Sequence, residues 1–143
     1  MINISETTTF RHAPAEVFAA AADPKTQLEW DQGYLKQVEK LSPGPLGRGA
    51  RYRGDFKGFG VLEYDFAEFE PGRKFAHYSK MKMGEMRHTF QFEAVPEGTR
   101  LTQTIVMQPK GIGRLMAPFM RGMMGKRLVE IGTKLHGYLK EDQ

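Results

Sequence analysis

The hydrophobic positions of this chain change their period along its length, and each period predicts a different element. Ile2, Ile4 and Phe10 alternate with polar residues around the β-branched run Thr7-Thr8-Thr9, which predicts a first strand. His12-Ala13-Pro14 breaks it. Pro14 suits a first helical position and Ala15 to Ala22 forms helix strongly, so a short helix follows. Asp23-Pro24 ends that helix and opens a second short one through Trp30. From Val38 onward, short alternating runs are separated by turn signals at intervals of about 8–12 residues. These signals are Ser42-Pro43-Gly44-Pro45, Gly58-Phe59-Gly60, Glu70-Pro71-Gly72-Arg73, Met83-Gly84 and Pro96-Glu97-Gly98. They predict an antiparallel meander of about six strands. Beyond Pro109 apolar residues recur at helical spacing through Met116, Met120, Met124, Leu128, Ile131, Leu135 and Leu139, with Phe119 and Met123 beside them. That is a long C-terminal helix. Strands grouped together with helices at the ends predict an α+β fold, expected as a single domain over residues 1–143.

Turn positions set strand register, and register decides which side chains share a face. Around Pro71-Gly72 the expected pairs are Phe66 with His77, Tyr64 with Ser79 and Leu62 with Met81. Around Met83-Gly84 they are Ser79 with His88, His77 with Phe90 and Phe75 with Phe92. Around Glu97 they are Phe92 with Leu101, Phe90 with Gln103 and Met86 with Met107. A turn centred on Phe59 pairs Tyr52 with Phe66 and Phe56 with Leu62. All four turns then collect Tyr52, Phe56, Leu62, Tyr64, Phe66, Phe75, Met81, Met86, Phe90, Phe92, Leu101, Ile105 and Met107 on one face. Arg51, Arg53, Glu63, Asp65, Lys80, Arg87, Glu93 and Arg100 fall on the other, with Arg53 opposite Asp65, Glu63 opposite Lys80 and Glu93 opposite Arg100. So apolar a sheet face must be covered, and the C-terminal helix is the only long element able to do it.

The same register puts His77, Ser79, His88, Gln103 and Glu68 on the apolar face, where polar groups need partners. An apolar pocket with a few convergent polar groups is the usual form of a small-ligand site. The expected lining is Trp30, Tyr52, Tyr64, Phe66, His77, Ser79, His88, Phe90, Gln103 and Met107 from the body of the chain, and Met116, Phe119, Met120, Met123 and Met124 from the helix. Methionine adapts to irregular surfaces, which suits a reshapable wall. Ser79 and His88 make no serine-hydrolase signal, since Gly-x-Ser-x-Gly is absent. His77 and His88 have no third metal ligand except Glu68. Gly47-Arg48-Gly49 and Gly111-Ile112-Gly113 lack the pattern of a phosphate loop. No metal and no cofactor are expected.

Composition narrows the picture further. There is no cysteine, so disulfide and thiolate chemistry are excluded, and a cytoplasmic location is expected. The polar, alternating N-terminus has no signal-peptide core, and no run reaches the length of a membrane span. The net charge is +4, but Lys and Arg are scattered among acidic residues until Lys110, so nucleic acid is not an expected partner. After Lys110 the tail carries Arg114, Arg121, Lys126, Arg127, Lys134 and Lys140 against Glu130, Glu141 and Asp142.

With this order of elements, the chain resembles the polyketide cyclase/dehydrase family of the START-like (SRPBCC, helix-grip) superfamily. The resemblance rests on Phe10-Arg11-His12-Ala13-Pro14-Ala15-Glu16-Val17-Phe18, Asp23-Pro24, Trp30, Leu41 to Tyr52, and Glu97-Gly98-Thr99-Arg100-Leu101-Thr102. It implies a curved seven-stranded antiparallel sheet gripping the last helix around a hydrophobic cavity. Family roles range from lipid or hydrophobic-ligand carriage to polyketide cyclisation, and no universal catalytic motif carries over. Three readings follow. The first is binding or carriage of a small hydrophobic, lipid- or polyketide-like molecule. The second is a cyclase or dehydratase using His77 or His88 as general acid/base on an aromatic or polyketide substrate. The third is membrane-surface contact and lipid transfer through the basic, apolar segment 111–128. The third competes with the fold, because an apolar face covering the sheet cannot also enter lipid. The molecule is expected as monomer or homodimer.

Overall fold

The computed structural model describes residues 1–141, so the expectation for Asp142 lies outside the described residues. β1 (Ile2–Phe10) leads into α1 (Pro14–Ala22) and α2 (Pro24–Trp30). β2 (Leu35–Lys40), β3 (Arg51–Phe56), β4 (Gly60–Glu70), β5 (Lys74–Met81), β6 (Gly84–Val95) and β7 (Gly98–Pro109) follow, and α3 (Gly113–Glu141) closes the chain. The strands form one antiparallel seven-stranded sheet in the order β1-β7-β6-β5-β4-β3-β2. α3 lies across β1 and β7, and α1 packs on β6 and β7. This is the helix-grip arrangement.

Local chemistry accounts for the short helices. α1 and α2 each begin with a proline, whose missing N–H costs nothing in a first turn. The Asp23 carboxylate accepts the Lys25 amide at 2.9 Å and caps α2. α2 is held to α1 at its far end, where Trp30 Nε1 donates to the Ala20 carbonyl at 2.9 Å. Phe18 points from α1 into the sheet and meets Phe69, Phe75 and Phe92 edge-on at 5.3–5.6 Å.

Two turns sit one position away from where the sequence predicts them, and each moves its register by two residues. The β3–β4 turn is closed by Phe56 and Gly60, so Tyr52 faces Tyr64 rather than Phe66, and Arg53 faces Glu63 rather than Asp65. Gly58, not Phe59, stands at its centre with φ +84°. The β5–β6 turn is the pair Lys82-Met83, closed by Met81 and Gly84. Gly84 is a strand residue needed for close approach: with φ +144°, a Cβ there would stand 2.1 Å from the Gln108 carbonyl oxygen. His77 therefore faces His88 directly and Ser79 faces Met86. The β6–β7 pairs match expectation, with Phe90 opposite Gln103. Even shifts preserve side-chain parity, so the inner and outer faces keep their expected members.

A β-bulge between Phe66 and Glu68 is an odd shift, and it does change faces. Glu68 turns outward, opposite to expectation, and pairs with Arg87 at 2.6 Å and Lys74 at 3.0 Å. Phe69 turns inward and packs 5.9 Å from Phe66. Without Glu68 on the inner face, the triplet His77, His88 and Glu68 is not assembled.

The core has two parts. An aromatic cluster joins Phe10, Phe18, Tyr52, Phe66, Phe75 and Phe92 to Ile131, Leu135 and Leu139. A smaller cluster joins Ile2, Ile105 and Met107 to Met120, Met124 and Leu128. Burying each of these large side chains stabilises the fold by roughly 1.5–3 kcal/mol.

Candidate functional site

The two clusters do not meet everywhere. Between them the sheet curves away from α2 and α3 and leaves a cavity of about 420 Å³. That lies within the range for a small organic ligand. The inner rows of β4, β5 and β6 supply Tyr64, His77, Ser79, His88 and Phe90. α2 supplies Trp30, and α3 supplies Met123, Met124, Arg127 and Ile131. Lys57, Gly58 and Phe59 of the β3–β4 turn stand at its edge.

Eight of the fifteen expected residues line this cavity: Trp30, Tyr64, His77, Ser79, His88, Phe90, Met123 and Met124. The other seven do not. Tyr52 and Phe66 are packed against each other in the aromatic core, ring centres 5.7 Å apart. Met107 and Met120 fill the second cluster. Gln103 lies behind His88. Met116 and Phe119 are on the outer side of α3, 39% and 65% exposed. Gln27, Tyr34, Arg127 and Glu130 line the cavity without having been expected. Their placement depends on how α2 and α3 meet, which no local pattern encodes. Phe56, Leu62, Met81, Met86 and Ile105 also line it, and their inner-face parity was the signal that could have found them.

Two polar systems sit in the apolar wall. His88 Nε2 is 3.1 Å from Gln103 Oε1, and Gln103 Nε2 donates to the Leu128 carbonyl of α3 at 3.0 Å. Because Gln103 uses its amide N–H on the helix, its oxygen faces His88 and must accept. His88 Nε2 therefore carries the proton. This chain of bonds ties the sheet to α3 through a fully buried glutamine. His77 is different. Its ring stands 4.8 Å from the Tyr64 ring and 6.5 Å from that of His88. His77 Nε2 and Tyr64 Oη are both buried, and neither has a hydrogen-bond partner among the described residues. Burial holds His77 down to about 3. Burial also holds His88 at about 3, reinforced by His77 and opposed by the Gln103 bond. Burial raises the Tyr64 phenol above its ordinary value. All three are neutral near pH 7.

An ion cluster closes one side of the cavity. Asp31 follows α2 and is fully buried. It accepts from both Nη atoms of Arg127, from Lys134 Nζ at 3.1 Å and from Gln27 Nε2 at 2.9 Å. The Arg127 guanidinium lies 3.4 Å over the Tyr34 ring. α2 is thereby fastened to the middle of α3.

A sheet gripping a helix over a partly polar cavity agrees with what the chain resembles. Residues 1–136 match the family described as polyketide cyclase/dehydrase and lipid transport. The chain belongs to that family. Among the solved structures, the polyketide cyclase/dehydrase and lipid transport fold seen here is similar to a START superfamily protein from Mycobacterium smegmatis. Their TM-score is 0.80 at 15% identity, covering 99% of each chain. It is also similar to the protein MLL2253 from Mesorhizobium loti, with a TM-score of 0.78 at 18% identity, over 99% of this chain and 98% of that one. In sequence, an uncharacterized protein of Mycobacterium tuberculosis is 28% identical over 105 residues, which is 71% of this chain and 62% of the relative. The chain thus spans less than two thirds of the curated relatives it matches. In this chain the cavity lies between the sheet and α2 and α3. Among the described residues, no helix is long and apolar enough to cross a membrane.

Proposed function

We propose that this protein binds a small hydrophobic molecule carrying at least one hydrogen-bonding oxygen, with the apolar body against Trp30, Phe90, Met123 and Met124. The observation that carries the reading is the pair of buried polar atoms, Tyr64 Oη and His77 Nε2, that find no partner among the described residues. Buried polar groups are almost always paired, so such a pair beside a cavity supports a partner supplied by the cavity's occupant. A carbonyl or hydroxyl oxygen fits: the phenol donates to it, and the imidazole accepts from a hydroxyl or donates to a carbonyl according to tautomer.

General acid–base chemistry by the histidines has less support. Both rings are held near 3, far below the pH at which they would exchange protons efficiently, and His88 Nε2 is already committed to Gln103. The family's range of roles includes polyketide cyclisation, but the site favours holding a ligand over turning it over.

The test is a binding titration with a matched pair of tricyclic probes, one hydroxylated or ketonic and one a plain hydrocarbon. The oxygenated probe should lose roughly 2–10-fold in affinity in Tyr64→Phe, the worth of one neutral hydrogen bond. The hydrocarbon should be unaffected or bind tighter. Equal effects on both probes, or no saturable binding of either, would overturn the reading.

A further inference from the structure

The exposed part of the cavity lining marks its mouth. Among the described residues, four lining positions are exposed: Lys57 and Gly58 of the β3–β4 turn, and Lys126 and Glu130 of α3. The opening therefore lies between that turn and the middle of the last helix. Both rims are fastened to one hub. The Lys57 amide donates to the Tyr34 carbonyl at 2.8 Å. The Tyr34 ring carries the guanidinium of Arg127, the residue next to Lys126.

Charge at this mouth is unbalanced. Among the described residues, the charged side chains that border the cavity are Lys57, Lys126, Arg127 and Glu130. Glu130 Oε1 already accepts from Arg127 Nη1 at 2.6 Å and lies 3.4 Å from Lys134 Nζ. Asp31 accepts from Arg127 and Lys134 as well, so two cations and two carboxylates balance within that cluster. Lys57 and Lys126 are left with no ion-pair partner among the described residues. Behind them the wall is neutral. His77 and His88 are uncharged near pH 7, and their neighbours are aromatic, aliphatic or methionine. A charged group taken inside would lose its water and gain no counter-ion, whereas an anion left at the mouth has both lysines.

Resting on the ligand reading above, we propose that the occupant is an amphipathic anion, with its apolar body and a neutral oxygen inside the cavity and a carboxylate or phosphate at the mouth beside Lys57 and Lys126. The oxygen enters first and the anion stays last, so the two ends fix the orientation of the molecule. Exposed ion pairs are individually weak and screened by salt. The lysines therefore select the class of ligand, and burial of its apolar body supplies most of the affinity.

The test is a titration of the full chain with the hydroxylated tricyclic probe and three derivatives of it. These carry a carboxylate, a phosphate or an ammonium group at the end opposite the hydroxyl. At low salt the anionic probes should bind roughly 3–10-fold tighter than the neutral one, and the ammonium probe more weakly than the neutral one. The larger gain of the two anions tells whether the natural head is an acid or a phosphate ester. About 1 M salt should remove the preference. Lys57→Gln and Lys126→Gln should each cost the anionic probes about 2–5-fold and leave the neutral probe unchanged. Lys80→Gln, an exposed lysine outside the cavity lining, should change neither and controls for the overall positive charge. The lysine side chains at the mouth are exposed and unpaired, so melting without probe should stay as in the wild type. Equal affinity of anionic and neutral probes, equally tight ammonium binding, or a loss in Lys80→Gln as large as in the mouth variants would overturn the proposal. In each case a neutral probe that binds and weakens in Tyr64→Phe keeps the ligand reading, whereas no saturable binding of any probe would sink both.

Discussion

His77 and His88 face each other across two adjacent strands in an apolar wall, and that position sets how they respond to acid. Both are held near 3 in the folded protein, mainly by burial, against an ordinary value of 6.5 that the unfolded chain recovers. Between those values the unfolded chain binds protons that the folded one refuses. Stability is therefore complete above about pH 6.5 and falls as the pH drops toward 3. The slope reaches about 1.4 kcal/mol per pH unit for each histidine. Glu68, held low by Arg87 and Lys74, loses its contribution only below its ordinary 4.5, so pH 5 to 7 isolates the histidines. Urea unfolding across that range should show the decline, and His77→Phe should remove about one proton's share of it. An unchanged slope in that variant would mean that His77 is charged or solvated in the fold. At this scale the sequence was informative about parity. That Ser79, His77, His88 and Gln103 share the inner face could be read from alternation. That Gln103 serves His88 and α3 while His77 is left to the cavity could not, because it depends on where α3 crosses.

Among the elements, the α2–α3 junction shows what sequence cannot display. Asp31 has no local partner in its own turn except Gln27, and its main partners, Arg127 and Lys134, lie about a hundred positions later. Asp31→Ala would leave the largely buried Arg127 with Glu130 as its remaining carboxylate partner and take the acceptor from Gln27 Nε2, so it should destabilise by roughly 1.5–3 kcal/mol in urea unfolding. Glu63→Ala, which breaks an outer-face pair with Arg53 that water screens, should cost no more than about 1 kcal/mol. Similar losses for the two would mean that the Asp31 cluster is solvated. The turns teach the complementary lesson. Gly58 and Gly84 marked both misplaced turns, but one glycine supplies a left-handed backbone and the other a close approach between strands. Composition alone does not distinguish these uses.

At the scale of the whole molecule, the cavity couples ligand to stability. A ligand that binds only the folded state at a hundred times its Kd adds about 2.7 kcal/mol. For a chain of this length that should raise the melting temperature by about 5–10 °C. Differential scanning with the oxygenated tricyclic probe measures it, and a flat melting temperature under saturating probe would show that the cavity is not its site. The shift should shrink in Tyr64→Phe, because the probe's oxygen then lacks the phenol that donates to it.

The order of elements, the two faces of the sheet and the apolar stripe of the last helix were determined by the sequence itself. They follow from periods of two and of 3.6 residues and from prolines and glycines, which act over a few neighbouring positions. Parity survived two misplaced turns because each error was even, and it failed at Glu68 because the bulge after Phe66 is odd. Tertiary structure alone decided which inner-face residues border space and which border each other. Tyr52 and Phe66 became core, while Tyr34 and Arg127 came to the cavity. It also decided that α3 keeps Met116 and Phe119 outside. A helix's apolar residues declare that they avoid water, but only the angle at which the helix lies on the sheet selects which of them succeed.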